Sequence, residues 1–162
     1  MAGGEAMTTP VLVPARVLVA SLDVLQGVGR EGRECVVLWL AKRSPDAINV
    51  VDVYKPAQIV AEDSFRIPRE SIAALFEILR DRGLMVAAQV HTHPERAFHS
   101  AADDRWAIVR HVGVLSLVLP HFAQRTTPQT FFEDVAVFSL SPRNEWLRIG
   151  PDDIDACIRG AP

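Results

Sequence analysis

The chain has no disulfide framework: its two cysteines, Cys35 and Cys157, stand far apart in 162 residues. Cysteines so placed exclude a stapled secreted scaffold, and a reducing cytoplasm is the expected compartment. Nor is there a stripe of lysine and arginine, and with a formal net charge of -3 nucleic acid is not expected as a partner. No uncharged apolar run is long enough to span a bilayer: the Val11 to Leu25 stretch is broken by Pro14, Arg16 and Asp23 and has no basic lead, so neither a signal peptide nor a membrane partner is expected. Internal repeats and low-complexity linkers are absent as well. That leaves one domain over residues 11–162, behind a small polar stretch, residues 1–10, expected to be disordered. Hydrophobic residues make up 49% of the chain, enough to bury a core without staples.

What is present alternates in the manner of a layered α/β domain. Pro14 fits the first turn of a helix running to about Gln26, with a strand over Arg16 to Ala20 as the alternative. Strands follow at Glu34 to Lys42 and Ile48 to Tyr54, joined through Ser44-Pro45-Asp46 as a hairpin. Lys55 to Ile67 reads as loop with a short strand. From Pro68 a second helix carries Ile72, Leu75, Phe76 and Leu79 on one face and ends at Gly83. Leu84 to Val90 is an apolar strand, Ser100 opens a third helix, and strands are expected at Val114 to Leu119, Asp134 to Leu140 and Glu145 to Ile149.

The chemistry-bearing residues gather after the Leu84 strand. His91 and His93, at i and i+2, project from one strand face and can reach one ion. Ser100 followed by Asp103 fits a helix N-terminus that returns a carboxylate to the same place, with Asp104 as the alternative acid. Two histidines and one aspartate make the three-ligand shell of a catalytic zinc, whose fourth position holds a water of pKa lowered from about 15.7 toward 7. Such a water needs a base, and Glu34 at the head of an apolar strand is better placed than Glu31 in the preceding turn. His99 is expected near the site; His111 and His121 are expected to be structural or surface residues.

His91-Thr92-His93-Pro94 with Ser100-Ala101-Ala102-Asp103, preceded by Glu34 at a strand head, resembles the JAMM motif of the JAB/MPN metalloproteases, over the chain from about Pro14 to about Ile149. Five residues, Glu95 to His99, separate Pro94 from Ser100, one fewer than that family's usual spacing. The resemblance implies an MPN fold, a cytidine-deaminase-like α/β/α arrangement with a curved mixed sheet. It implies one zinc ion per chain held by His91, His93 and Asp103, with Glu34 as acid/base and Ser100 donating to the oxyanion. It further implies cleavage after the C-terminal glycine of a ubiquitin-like protein, with activating (E1-like) and conjugating (E2-like) proteins of the same pathway as further partners, in a compact bacterial enzyme. An inactive MPN scaffold and a small-molecule zinc amidase are the alternatives. Lys55 to Arg66 and Gln124 to Phe131 are candidate walls of a substrate groove. Other metal sites fail on particular residues: Glu95 and Arg96 break a metallo-β-lactamase pattern, position 95 lacks the histidine of a histidine-triad hydrolase, and no Pro-Cys-x-x-Cys segment exists for a zinc deaminase.

Overall fold

A computed structural model describes residues 9–60, 65–98 and 108–162. In chain order these form β1 (Val11–Val13), helix α1 (Ala15–Gly29), β2 (Val36–Arg43), β3 (Ile48–Tyr54), β4 (Ile59–Val60), β5 (Phe65–Arg66), helix α2 (Arg69–Arg82), β6 (Met85–Thr92), β7 (Leu115–Leu119), β8 (Ala136–Leu140), β9 (Trp146–Arg148) and β10 (Ile158–Gly160). Among the described residues, eight strands make one mixed sheet in the order β10-β1-β3-β2-β6-β7-β8-β9, while β4 and β5 form a separate ribbon. This is the layered α/β architecture, a curled mixed sheet flanked by helices, expected from the sequence. None of the described helices is long and apolar enough to cross a membrane.

The centre of the sheet is written in β2. Its first six residues, Val36 to Ala41, are all buried, because both faces of the strand are covered, as a near-continuous apolar run requires. Side-chain alternation sends Val37 and Trp39 toward α1, whose Val17, Leu18, Leu22 and Leu25 join them in the larger core. Trp39 donates its indole N–H to the Ser21 hydroxyl at 2.8 Å, and Ser21 donates in turn to the Val17 carbonyl at 2.7 Å. A polar pair thus enters the core with its bonding complete. Val36, Leu38 and Leu40 point the other way and pack with Leu75 of α2, Phe65, Ile67 and Val86.

Local signals set the hairpin and the second helix as expected. Ser44 N–H donates to the Ala47 carbonyl at 2.8 Å across the turn, and β2 and β3 pair antiparallel. Helix α2 starts after Pro68, carries Arg80 and Arg82 in its last turn, and stops where Gly83 takes the left-handed conformation at φ 62°, which costs glycine little. One face residue differs: Phe76 is exposed, and Ile78 packs with Ile72, Leu75 and Leu79 instead. Strands β1 and β10 are additions, pairing parallel to one another at the sheet's edge. The register also shifts twice at one level of β2. Between Leu40 and Ala41 the partner β3 carries one extra residue, and between Trp39 and Leu40 the partner β6 does the same; such bulges strengthen local twist.

Candidate metal and catalytic site

β6 carries His91 two positions before His93, and both side chains lie on the α2 face of the sheet. His91 sits between Val36 of β2 and Val118 of β7 and is fully buried, while His93, one residue past the strand, is 4% exposed. The His93 amide donates to the Leu119 carbonyl at 2.9 Å, so the strand geometry persists through it. The two rings have centroids 5.3 Å apart with planes at 48°. Two imidazoles on one tetrahedral zinc, with bonds of about 2.0–2.1 Å and each ring centre roughly 1.2 Å beyond its nitrogen, have centroids about 5.2 Å apart. The observed separation meets that requirement. Phe65 stands 5.8 Å from His91, and Phe98 meets His93 edge-on at 4.4 Å, so aromatic rings flank both histidines.

Glu34 lies two residues before β2 and is 3% exposed. The β2–β6 ladder ends on Val36 opposite His91; continued by two residues, its register sets Glu34 opposite His93, on the same face. The Cys35 amide approaches the Thr92 hydroxyl at 3.5 Å, so these two residues remain side by side one step beyond that pair. Pairs whose backbone groups point away from each other bring side chains closest, with Cα atoms about 4.5 Å apart. Val36 and His93 both direct their amides away from the β2–β6 seam, which puts the glutamate–histidine pair in that close class.

Asp103 and Ser100 lie outside the described residues, as do His99, Asp104 and the helix expected after Ser100. Among the described residues no group of three His, Cys, Asp or Glu side chains is arranged to hold an ion, so Glu34 does not complete a shell with the two histidines. Past this segment, the Ile108 amide donates to the Gln89 side-chain oxygen at 3.3 Å, and the Gln89 side-chain nitrogen donates to the Ser116 hydroxyl at 3.3 Å. Gln89 shares the histidines' strand face, so the chain re-enters tied to their strand. His111 is structural, as expected: its Nε2 lies 2.9 Å from the Val86 carbonyl. Cys35 takes no part. Burial, only partly offset by the Lys55 ammonium, pushes its thiol up to about 11, and it faces the α1 core, so thiolate chemistry at neutral pH is excluded there.

A backbone feature without any sequence signal braces the site. His121, Phe122 and Ala123 all have positive φ, at 53°, 52° and 59°, a left-handed run costing side-chain-bearing residues ~1–2 kcal/mol each. Hydrogen bonds hold it: the Phe122 amide donates to the His93 carbonyl at 2.8 Å and the His121 amide to the Glu95 carbonyl at 3.0 Å. From α1, the Gln26 side chain donates to the carbonyls of Ala123 and Thr126, each at 2.8 Å. These bonds set the start of the Gln124 to Phe131 segment against α1, on the opposite face of the sheet from the histidines. Phe131 is itself in the core beside Trp39, which corrects its expected place in a groove wall.

Gly29, the last residue of α1, makes the fit possible. A Cβ there would lie 2.6 Å from the Phe122 Cβ and 2.7 Å from its carbonyl oxygen. Gly29→Ala is therefore expected to cost about 1–3 kcal/mol through overpacking and to shift the Phe122 amide resonance, because the displaced turn donates that amide to the His93 carbonyl. Gly27→Ala, where an added Cβ meets nothing nearer than 3.8 Å, is the control. Chemical denaturation and a nitrogen–proton correlation spectrum of both variants check this.

No family model matches the chain. It is 35% identical over 129 residues to the probable metalloprotease y4jG of Sinorhizobium fredii, covering 77% of this chain and 78% of that protein. Its structure is similar to the solution structure of protein DSY2949 from Desulfitobacterium hafniense, with a TM-score of 0.64 and 16% identity over 93% of this chain and 92% of that one. The second likeness is one of fold, and that fold is compatible with an MPN-like arrangement.

Proposed function

Since the chain belongs to the metalloprotease family of y4jG, we propose that it is a JAMM-type zinc metallopeptidase cleaving after the C-terminal glycine of a ubiquitin-like protein, from a conjugate or from a precursor. The observation that carries this reading is the buried histidine pair, whose 5.3 Å ring separation suits two ligands of one ion. His91, His93 and Asp103 would hold the metal. Zinc, when bound, supplies a Lewis acid and a water acidified toward neutrality. Glu34 would take a proton from the attacking water and return it to the departing amine. Ser100 donates its hydroxyl to the carbonyl oxygen as charge develops there. Phe65 and Phe98 exclude bulk water from the histidines, which strengthens each of these interactions.

The substrate class rests on the motif resemblance and on one surface. The β4–β5 ribbon lies within the Lys55 to Arg66 segment, and among the described residues β4 pairs with β5 alone, leaving an edge to which an extended tail can add as a strand. Ile59 on that ribbon and Phe98 beside His93 are 54% and 49% exposed, apolar contacts suited to a flexible glycine-ended tail. E1-like and E2-like proteins of the same pathway are the further partners proposed.

The deciding experiment presents the full chain with a panel of ubiquitin-like proteins bearing C-terminal fusions and lysine-linked adducts. Release at the glycine, abolished by a chelator and restored by zinc, is the expected result. Tight binding without turnover, the behaviour of a scaffold, or hydrolysis confined to small amides would overturn the assignment.

A further inference from the structure

The strand that follows Glu34 lacks one neighbour at its head. β3 pairs with β2 only as far as Tyr54 opposite Leu38. Val36, two residues nearer Glu34, keeps β6 on one side. Its amide and carbonyl both point to the other side, since the two groups of one strand residue share a direction. The Gln58 carboxamide occupies that side. The Val36 amide donates to Gln58 Oε1 at 2.9 Å, Gln58 Nε2 donates to the Val36 carbonyl at 2.9 Å, and the same nitrogen donates to the Pro56 carbonyl at 3.0 Å. The first two bonds repeat what a residue of an adjoining antiparallel strand would supply. The third fixes the carboxamide to its own loop.

We propose that Gln58 is a positioning residue: its side chain substitutes for the missing strand at Val36 and thereby holds Glu34 opposite His93. This rests on the reading of Glu34 as acid/base. No other side-chain type of this length offers an acceptor and two donors in one plane. Without them Val36, which is fully buried, leaves both backbone groups unmet, and the two residues before it lose their anchor on the side away from β6. Glu34 then samples positions away from His93, while His91 and His93, held by β6 and β7, stay in place.

The test uses the full chain with Gln58→Met, which keeps the length and removes all three bonds. Expected are a kcat at least tenfold lower, a KM within twofold, unchanged metal content, and amide exchange at Val36 more than tenfold faster with Val90 and Leu117 unaltered. Because Gln58 acts through Glu34, Gln58→Met should add little to the loss already caused by Glu34→Gln, a non-additivity that general destabilisation does not produce. Gln58→Glu, which keeps the acceptor but replaces the donor nitrogen with a second acceptor oxygen facing two carbonyls, should not rescue. Faster Val36 exchange with kcat within twofold of wild type would overturn the proposal, as would unchanged exchange or a fully additive double variant. Absence of any metal-dependent cleavage by the wild-type chain would instead sink the peptidase reading, while Val36 exchange would still report whether Gln58 holds the strand end.

Discussion

His91→Ala is expected to lose its metal and to lower peptide-bond cleavage at least ~10³-fold, because the acidification of the attacking water disappears with the ion. The position leaves little room for compensation. His91 is fully buried inside a strand paired on both sides, with Phe65 beside it, so the ring's place is set by the sheet and a side chain on another element would have to displace packed neighbours to take it. The backbone bonds of β6 do not depend on the imidazole, so the variant should fold. Elemental analysis of protein purified without added metal should find one equivalent of zinc in the wild type and essentially none in the variant. His111→Ala, which removes a ring bonded to the Val86 carbonyl and away from the site, should retain the metal. A metal-replete and active His91→Ala protein would end the case for this site.

Glu34→Gln should keep the zinc and lose about 10²–10⁴-fold in kcat, the usual contribution of a positioned proton carrier. The substitution is nearly isosteric, so the buried strand head is undisturbed and the loss isolates the proton step. Metal content separates the two variants: a base can be removed without emptying the ion site, whereas a ligand cannot. Turnover at the wild-type rate by a zinc-loaded Glu34→Gln protein would show that another group moves the proton.

Much of this was legible in the sequence because it is local. The β2–β3 hairpin follows from Ser44-Pro45-Asp46 between two apolar runs, the end of α2 from Gly83, and the shared face of His91 and His93 from the two-residue period of a strand. The placement of Glu34 opposite His93 was not legible, since register between strands distant in sequence depends on the ladder between them. The same holds for β1 and β10, three-residue strands that pair with each other from opposite ends of the chain, β1 pairing also with β3. Phe76 falls outside the buried arc because a helix face with apolar residues at 72, 75, 76, 78 and 79 fixes that arc only against the sheet beneath it. His121, Phe122 and Ala123 give no warning of their positive φ, for none is glycine or asparagine; only Gly29, on another element, marks the close approach. Gln58 likewise looks like any polar loop residue until β3 is seen to stop short.

The twin bulges beside Leu40 divide the central seam into halves that answer to different constraints. Above them, toward Glu34 and the histidines, a slip of one residue would turn each side chain of the proposed site to the wrong layer. At the bulges each neighbouring strand accommodates one supernumerary residue, so that extra length is absorbed before the ladder reaches Val36 and His91. The sheet is built like a vernier: its lower scale is offset by one step on either side of β2, while the upper one runs in step past Val36 and His91.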